Sequence, residues 1–148
     1  LAAFRAVRKV LPKLTLTVVG PAASQVPADE GVRVVGSVRS RTELLEFYRG
    51  ADLFAMPSLC DSFGFVFLEA MTQGLPCIGT DLNAMPEIIA DGETGYVVPP
   101  RDPGALAEAI LRFYRDPDNR RRMGQAAQER VLARYTWDRV VAAMRPHL

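Results

Sequence analysis

The segment over residues 57–74 (PSLCDSFGFVFLEAMTQG) holds the residues best suited to chemistry. It has the pattern of a polar loop followed by a helix over residues 63–73, which Gly74 ends. Because nearly all other residues of this helix are apolar, the pattern predicts a buried helix and a buried Glu69 carboxylate. Such a carboxylate either pairs with a neighbouring Arg, or lies at a rim, or accepts hydrogen bonds from the hydroxyl groups of a ligand. Its two oxygens suit a ribose diol.

The start of the same helix is a second candidate feature. The first amides of a helix and the positive end of its dipole favour a phosphate, and Gly64 would let a diphosphate approach the backbone closely. A phosphate here and a diol at Glu69 would bracket one nucleotide. Asp61, just before the helix, suits either an N-cap or a ligand contact. The residues at this start are Ser62, Phe63, Gly64, Phe65 and Val66.

The elements that would position these residues alternate between strands and helices. This alternation predicts an α/β fold, a doubly wound Rossmann-like parallel sheet with helices on both faces and a helical C-terminal tail. We interpret residues 1–148 as a single domain. Strands are predicted at residues 14–19, 32–35, 52–56, 76–79 and 95–98, and helices at 42–48, 63–73, from Pro86, from Asp102-Pro103, at 118–134 and at 137–144.

Four loops would leave the carboxyl ends of these strands, at residues 20–23, 36–39, 57–63 and 80–85. In open parallel sheets this is the edge at which ligands bind, although the same loops are consistent with plain turns. Leu1, Phe4, Val7 and Leu11 repeat at helical spacing with no cap before them. We therefore expect the chain to begin inside the domain, after its first strand.

Composition narrows the chemistry further. A net charge of +1 gives no strong attraction to nucleic acid. The single histidine, His147, lies one residue from the end of the sequence. We therefore expect that residues 1–148 alone do not build a Ser-His-Asp site, a Cys-His site or a multi-histidine metal cluster. Cys60 and Cys77 adjoin apolar runs and are interpreted as small buried thiols in a reducing compartment. We predict no metal and no cofactor.

At its central segment the sequence resembles glycosyltransferase family 4. That family has two glutamates separated by seven residues, within Pro-Ser…Glu-x-Phe-Gly…Leu-Glu-Ala-Met. The corresponding residues here are Pro57-Ser58, Asp61, Phe63-Gly64 and Leu68-Glu69-Ala70-Met71, followed by Gly74-Leu75-Pro76, Thr80-Asp81, Pro86-Glu87-Ile88-Ile89, Asp91-Gly92, Thr94-Gly95 and Val98-Pro99-Pro100. The resemblance extends over nearly the whole chain.

The resemblance implies a GT-B fold, in which this chain forms most of the C-terminal, nucleotide-sugar-binding domain and an N-terminal Rossmann-like domain is its partner. The implied activity is retaining, metal-independent sugar transfer from a nucleoside diphosphate. Glu69 would hold the ribose, Asp61 would contact the donor sugar, and amides of residues 62–66 would hold the diphosphate. Backbone at Val38 and Arg39 would grip the base. A cytoplasmic location, at the inner membrane surface where the acceptor is a lipid-linked glycan, is also implied.

The sequence departs from the family pattern in three features. Asp61 replaces the first glutamate and is one methylene shorter, and Asn83-Ala84 stands where many members carry two glycines. The family's first strand of this domain, with its phosphate-binding Arg and Lys, would precede Leu1. We therefore expect this chain by itself to be catalytically inactive.

Other interpretations stay open at this point. The chain is also consistent with a non-catalytic nucleotide-sugar-binding module, or with another GT-B enzyme such as a sugar-nucleotide epimerase or a phosphorylase. The basic stretch at Arg120, Arg121 and Arg122, with Arg130 and Arg134, fits a solvated helix face or a contact with anionic lipid.

Overall fold

A computed structural model describes residues 1–60 and 63–139, without the side chain of Ala22. Two predicted site residues, Asp61 and Ser62, lie outside the described residues, as does the second half of the predicted helix 137–144. The chain divides into two compact units, Leu1–Gly50 and Ala51–Leu148.

The first unit contains a two-stranded parallel sheet and two helices. Leu16 lies opposite Val32 in the sheet, and the side chains of Ala3, Phe4 and Val7 form the buried face of the first helix. The second helix begins after Ser40, whose hydroxyl accepts a hydrogen bond from the Glu43 amide. The elements are α1 (Ala2–Arg8), β1 (Leu16–Val19), a 3₁₀ turn (Pro21–Gln25), β2 (Val32–Val35) and α2 (Arg41–Arg49).

The second unit contains a three-stranded parallel sheet in the order β3-β4-β5. All four residues of the central strand β4 are buried, as expected for a strand with a partner on each side. The elements are β3 (Phe54–Ala55), α3 (Phe65–Thr72), β4 (Cys77–Thr80), α4 (Met85–Ile88), β5 (Gly95–Val98), α5 (Pro103–Arg115) and α6 (Pro117–Arg134).

The two C-terminal helices have sharply defined starts. The Asp102 carboxylate accepts a 2.8 Å hydrogen bond from the Ala105 amide, and the Asp116 carboxylate accepts a 2.9 Å bond from the Asn119 amide. Each capping aspartate is followed by a proline at the first helical position, where a missing N–H costs nothing. Both helices contribute to one buried cluster with the sheet, made of Ile78, Val98, Ala109, Phe113 and Met123.

The predicted fold class is confirmed, since parallel strands alternate with flanking helices and the described residues end in C-terminal helices. The strands predicted at residues 32–35 and 95–98 have the predicted bounds. The strand predicted at residues 52–56 is only two residues long, although the Phe54 and Met56 amides both donate to carbonyls in or next to β4, at 3.1 Å. The loop predicted after Gly20 contains the 3₁₀ turn.

The prediction that both cysteines are buried is half wrong. Cys77 is fully buried in β4, whereas Cys60 is exposed in the loop after β3. The apolar neighbours Leu59 and Phe63 suggested burial for Cys60, but they are themselves exposed. Among the described residues, no helix combines the length and hydropathy needed to cross a membrane.

Candidate functional site

Helix α3 begins one residue after Gly64, not at Phe63 as the sequence predicted. Gly64 has a φ of 81°, which is a left-handed conformation that favours glycine. The residue is also buried. The Met85 sulfur lies 3.3 Å from the position a Cβ would occupy at residue 64, and the Met85 methyl group is closer still. The conformation therefore favours glycine here, and a larger residue would also displace the end of the Met85 side chain.

The first turn of α3 directs backbone amides away from the helix. The Phe67 amide donates a 2.9 Å hydrogen bond to the Gly64 carbonyl. The amides of Phe65 and Val66 belong to the first turn, where N–H groups have no acceptor within the helix. This is the arrangement that suits an anion at a helix N-terminus.

Glu69 is exposed, and the prediction that it is buried is wrong. The buried stripe of α3 consists of Phe67, Ala70 and Met71, which are all 0% exposed. With about 3.6 residues per turn, Glu69 falls on the opposite face of the helix. The sequence suggested an all-round buried helix because apolar residues also occupy the open face, where Phe65 is 67% exposed.

Phe65 and Glu69 lie one helical turn apart on this open face of α3. The Phe65 ring packs against the Phe63 ring, with 4.8 Å between their centroids. The hydroxyl of Thr72 donates a 2.7 Å bond to the Glu69 carbonyl and reinforces the last turn. The open face therefore offers a carboxylate beside an aromatic pair, and both are accessible to a ligand.

The loop after β3 is tied to the end of β4. The Thr80 hydroxyl, in a residue 1% exposed, donates a 2.8 Å hydrogen bond to the Ser58 carbonyl. The Ser58 hydroxyl in turn donates to the Cys60 carbonyl at 3.1 Å. These bonds fix the described part of the loop, which leads towards Asp61 and Ser62 outside the described residues.

The loop after β4 contains a left-handed residue. Asn83 has φ of 54°, a conformation that asparagine tolerates better than most residues. Ala84 is right-handed, with φ of −80°, and precedes α4. The two positions at which many family members carry glycine therefore take conformations that asparagine and alanine allow.

Val38 and Arg39 belong to the first unit, between β2 and the N-cap of α2. Val38 is half-buried and Arg39 is exposed. Their contact with a base stays a prediction.

The structure also identifies residues that the sequence interpretation did not single out for the site. Thr80 and Met85 are both buried, and each supports a loop or turn of the candidate site. The signal for Thr80 was a hydroxyl at the end of an otherwise apolar strand. Met85 gave no such signal, because its role depends on a glycine more than twenty residues away.

Within residues 1–60 and 63–139, no group of three or more His, Cys, Asp or Glu side chains is arranged to hold a metal ion. Burial raises the pKa of the Cys77 thiol well above its ordinary range, which keeps the sulfur protonated.

Parallel strands with flanking helices, and a glycine-led helix that follows the carboxyl end of β3, define a Rossmann-like domain of the kind found as the C-terminal half of GT-B enzymes. Residues 1–130 match the family of glycosyl transferases group 1. The chain belongs to this family.

Individual relatives agree with this assignment. A D-inositol 3-phosphate glycosyltransferase of Corynebacterium urealyticum is 38% identical over 100 residues, which cover 68% of this chain and 23% of that protein. The chain thus spans about a quarter of the length of this relative.

Two solved structures share the fold. The C-terminal domain of a glycosyl transferase group 1 family protein (LpcC) from Francisella tularensis has a TM-score of 0.80 and 26% identity, over 92% of this chain and 77% of that one. Anabaena Alr3699/HepE in complex with UDP-glucose has a TM-score of 0.80 and 21% identity, over 99% of this chain and 44% of that one. The second likeness concerns the fold alone.

Proposed function

We propose that this chain is the nucleotide-sugar-binding domain of a retaining, metal-independent glycosyltransferase. The observation that carries the proposal is the open face of α3, where an exposed Glu69 follows a glycine-led first turn on the same helix. The first turn of this helix suits a phosphate and Glu69, one turn further along, suits a diol; a nucleoside diphosphate contains both groups.

Glu69 is the residue we assign to the ribose. An exposed carboxylate accepts hydrogen bonds from both hydroxyl groups of a ribose without first losing its hydration to a protein interior. The three residues before Glu69 have buried or half-buried side chains. Their packing keeps the backbone at Glu69 rigid. Exposure thus strengthens this assignment, because a carboxylate enclosed by the core could not reach a ligand.

The first turn of α3 is assigned to the diphosphate. The left-handed Gly64 lets the backbone turn into α3, and the amides of Phe65 and Val66 are the donors. Fixed donors of this kind stabilise the negative charge that develops on a leaving diphosphate, which is the task a metal performs in other transferases.

Three further contacts rest on the family resemblance. Asp61 would contact the donor sugar, and Ser62 with Phe63 would extend the diphosphate contact. Val38 and Arg39 would bind the base through their backbone. The shorter Asp61 side chain would change how the sugar is held, and would thereby alter the sugar preference relative to glutamate-bearing relatives.

A uridine nucleotide is the first donor to test, since Anabaena HepE was crystallised in complex with UDP-glucose. Transfer also requires a site for the acceptor. We propose that this site lies on a further domain, as in a protein with the length of the curated relatives, of which this chain spans about a quarter. The chain alone therefore binds its donor and transfers nothing. Detectable transfer by the purified chain would contradict this point.

The contacts of the basic stretch favour a solvated helix face over a lipid surface. Arg121 pairs with Asp118, and Arg120 pairs with Asp52 at 3.1 Å. Free thiols at both cysteines suit a reducing compartment, which supports the cytoplasm as the site of action.

Calorimetric titration of the chain with UDP, GDP and ADP tests the proposal. We expect one nucleotide to bind, and Glu69→Ala to reduce its affinity by about tenfold or more, since a lost hydrogen bond to a charged group is worth about 1.5–3 kcal/mol. Glu129→Ala, which removes an exposed carboxylate on α6, is the matched control. Equal affinities for wild type and Glu69→Ala would remove Glu69 from the site.

A further inference from the structure

Two side chains hold the C-terminal end of α4: Arg130 of α6, and Tyr135, the residue that follows α6. The Arg130 guanidinium donates to the Ile88 carbonyl at 3.0 Å and to the Glu87 carbonyl at 2.6 Å. The Tyr135 hydroxyl donates to the same Glu87 carbonyl at 3.1 Å. These three bonds join parts of the chain that are 42 to 48 residues apart.

Helix α4 needs such support because it is only four residues long. A helix of this length has almost no internal hydrogen bonds, and its last carbonyls have no partner within it. The Arg130 charge also lies at the negative end of the helix dipole. Arg130 and Tyr135 therefore supply the last carbonyls of α4 with hydrogen-bond donors.

The other end of α4 contacts the candidate phosphate site. Met85, the first residue of α4, is 2% exposed and packs against Gly64, the residue that precedes α3. A shift of α4 would move the Met85 thioether against or away from the Gly64 backbone. The position of α4 is thus transmitted to the first turn of α3 by direct contact.

The same long helix also holds the end of α3. The Gln128 side chain donates a 2.7 Å hydrogen bond to the Thr72 carbonyl, and Gly124 packs directly against the Gly74 carbonyl. Helix α6 therefore fixes the C-terminal end of α3. If α4 moved relative to α6, α3 would stay in place. Such a movement would instead change the contact between Met85 and Gly64.

We propose that Arg130 and Tyr135 are positioning residues for the diphosphate-binding turn at residues 64–66, acting through α4 and Met85. The proposal rests on the function assigned above to that turn. Neither side chain touches the nucleotide in this scheme, and their effect is to keep the Gly64 backbone at one position.

Amide hydrogen exchange measured by NMR on the 148-residue chain tests the proposal without any ligand. Arg130→Met removes the donors and keeps a long apolar side chain. We expect exchange to accelerate at residues 85–89 and also at the Phe67 amide, which donates to the Gly64 carbonyl, by about tenfold, which corresponds to about 1.4 kcal/mol. Exchange in β1 and β2 should not change. Acceleration confined to residues 85–89 would overturn the proposal.

Three further variants separate positioning from general loss of stability. Arg130→Lys keeps a cation that donates to the same carbonyls and should restore most of the protection. Tyr135→Phe removes one bond and should give a smaller change with the same pattern, which keeps the test valid if Arg130→Met does not fold. Arg121→Met, on the exposed side of α6, should change neither segment.

Titration with UDP provides the ligand readout. We expect Arg130→Met to raise the Kd for UDP by about tenfold, with Arg130→Lys close to wild type. Unchanged UDP affinity in Arg130→Met, with wild type binding normally, would also overturn the proposal. If wild type does not bind UDP, the choice of a uridine donor fails, whereas exchange at the Phe67 amide still decides this inference.

Discussion

The buried hydroxyl of Thr80, at the end of β4, donates a 2.8 Å hydrogen bond to the carbonyl of Ser58 in the loop after β3. The two strands are neighbours in the sheet, so this bond joins two adjacent loops at the edge where ligands of parallel sheets bind. It fixes the path of the chain that leads towards α3.

Thr80→Val should destabilise the second unit by about 1–2 kcal/mol, because it keeps the side-chain shape and leaves the Ser58 carbonyl without its donor. Urea unfolding followed by circular dichroism measures the loss, and NMR relaxation of residues 57–60 should report increased motion. Thr80→Ser is the control, since it keeps the hydroxyl and loses one methyl group. Equal loop motion in the two variants would show that the hydrogen bond does not hold this loop.

Asn83 should tolerate glycine but not a β-branched residue. Its φ of 54° costs a branched side chain about 1–2 kcal/mol, whereas glycine adopts it freely. We expect the unfolding free energy of Asn83→Gly to stay near that of wild type and that of Asn83→Val to fall by this amount. Equal stability of Asn83→Gly and Asn83→Val would contradict the left-handed conformation.

The two cysteines should differ in reactivity. Cys60 is exposed, while Cys77 is fully buried and its pKa is raised by that burial, so its reactive thiolate is scarce. With a thiol-specific chromogenic reagent at pH 8, one thiol per native chain should react quickly and a second only after unfolding. Cys60→Ser should abolish the fast phase. A fast phase that persists in this variant would mean that Cys77 is accessible.

The Asp29 carboxyl should titrate below its ordinary range. The hydrogen bond from Arg5, 2.6 Å long, lowers the pKa of Asp29, and the Glu30 amide adds to this effect. Because the folded-state pKa is lowered, the resulting stability is fully present above the unfolded-state pKa of about 3.9 and is lost as the pH falls through the folded-state value. An NMR titration of Asp29 in Arg5→Gln should show a higher pKa than in wild type. An unchanged pKa would exclude the ion pair in solution.

Much of the fold could be predicted from local sequence. Each capping aspartate with its following proline fixes a helix start within a few residues, and Val32–Val35 and Gly95–Val98 are short β-rich runs bounded by glycine or turn residues. These signals are local, so no knowledge of the tertiary contacts was needed.

The candidate site was predicted less completely, for two physical reasons. Apolar residues on an open helix face look like core residues in sequence, and Phe65 therefore made Glu69 appear buried. Met85 packs against Gly64, 21 positions before it, and Arg130 binds the end of α4, 42 residues before it. No local sequence pattern encodes contacts at such separations.

The most direct test of the central claim is a crystal structure of the chain with the nucleoside diphosphate that binds it, with UDP tried first. We expect both ribose hydroxyls within hydrogen-bond distance of the Glu69 carboxylate, and the diphosphate against the amides of residues 64–66. A nucleotide bound elsewhere on the chain, with no contact to Glu69, would contradict the account.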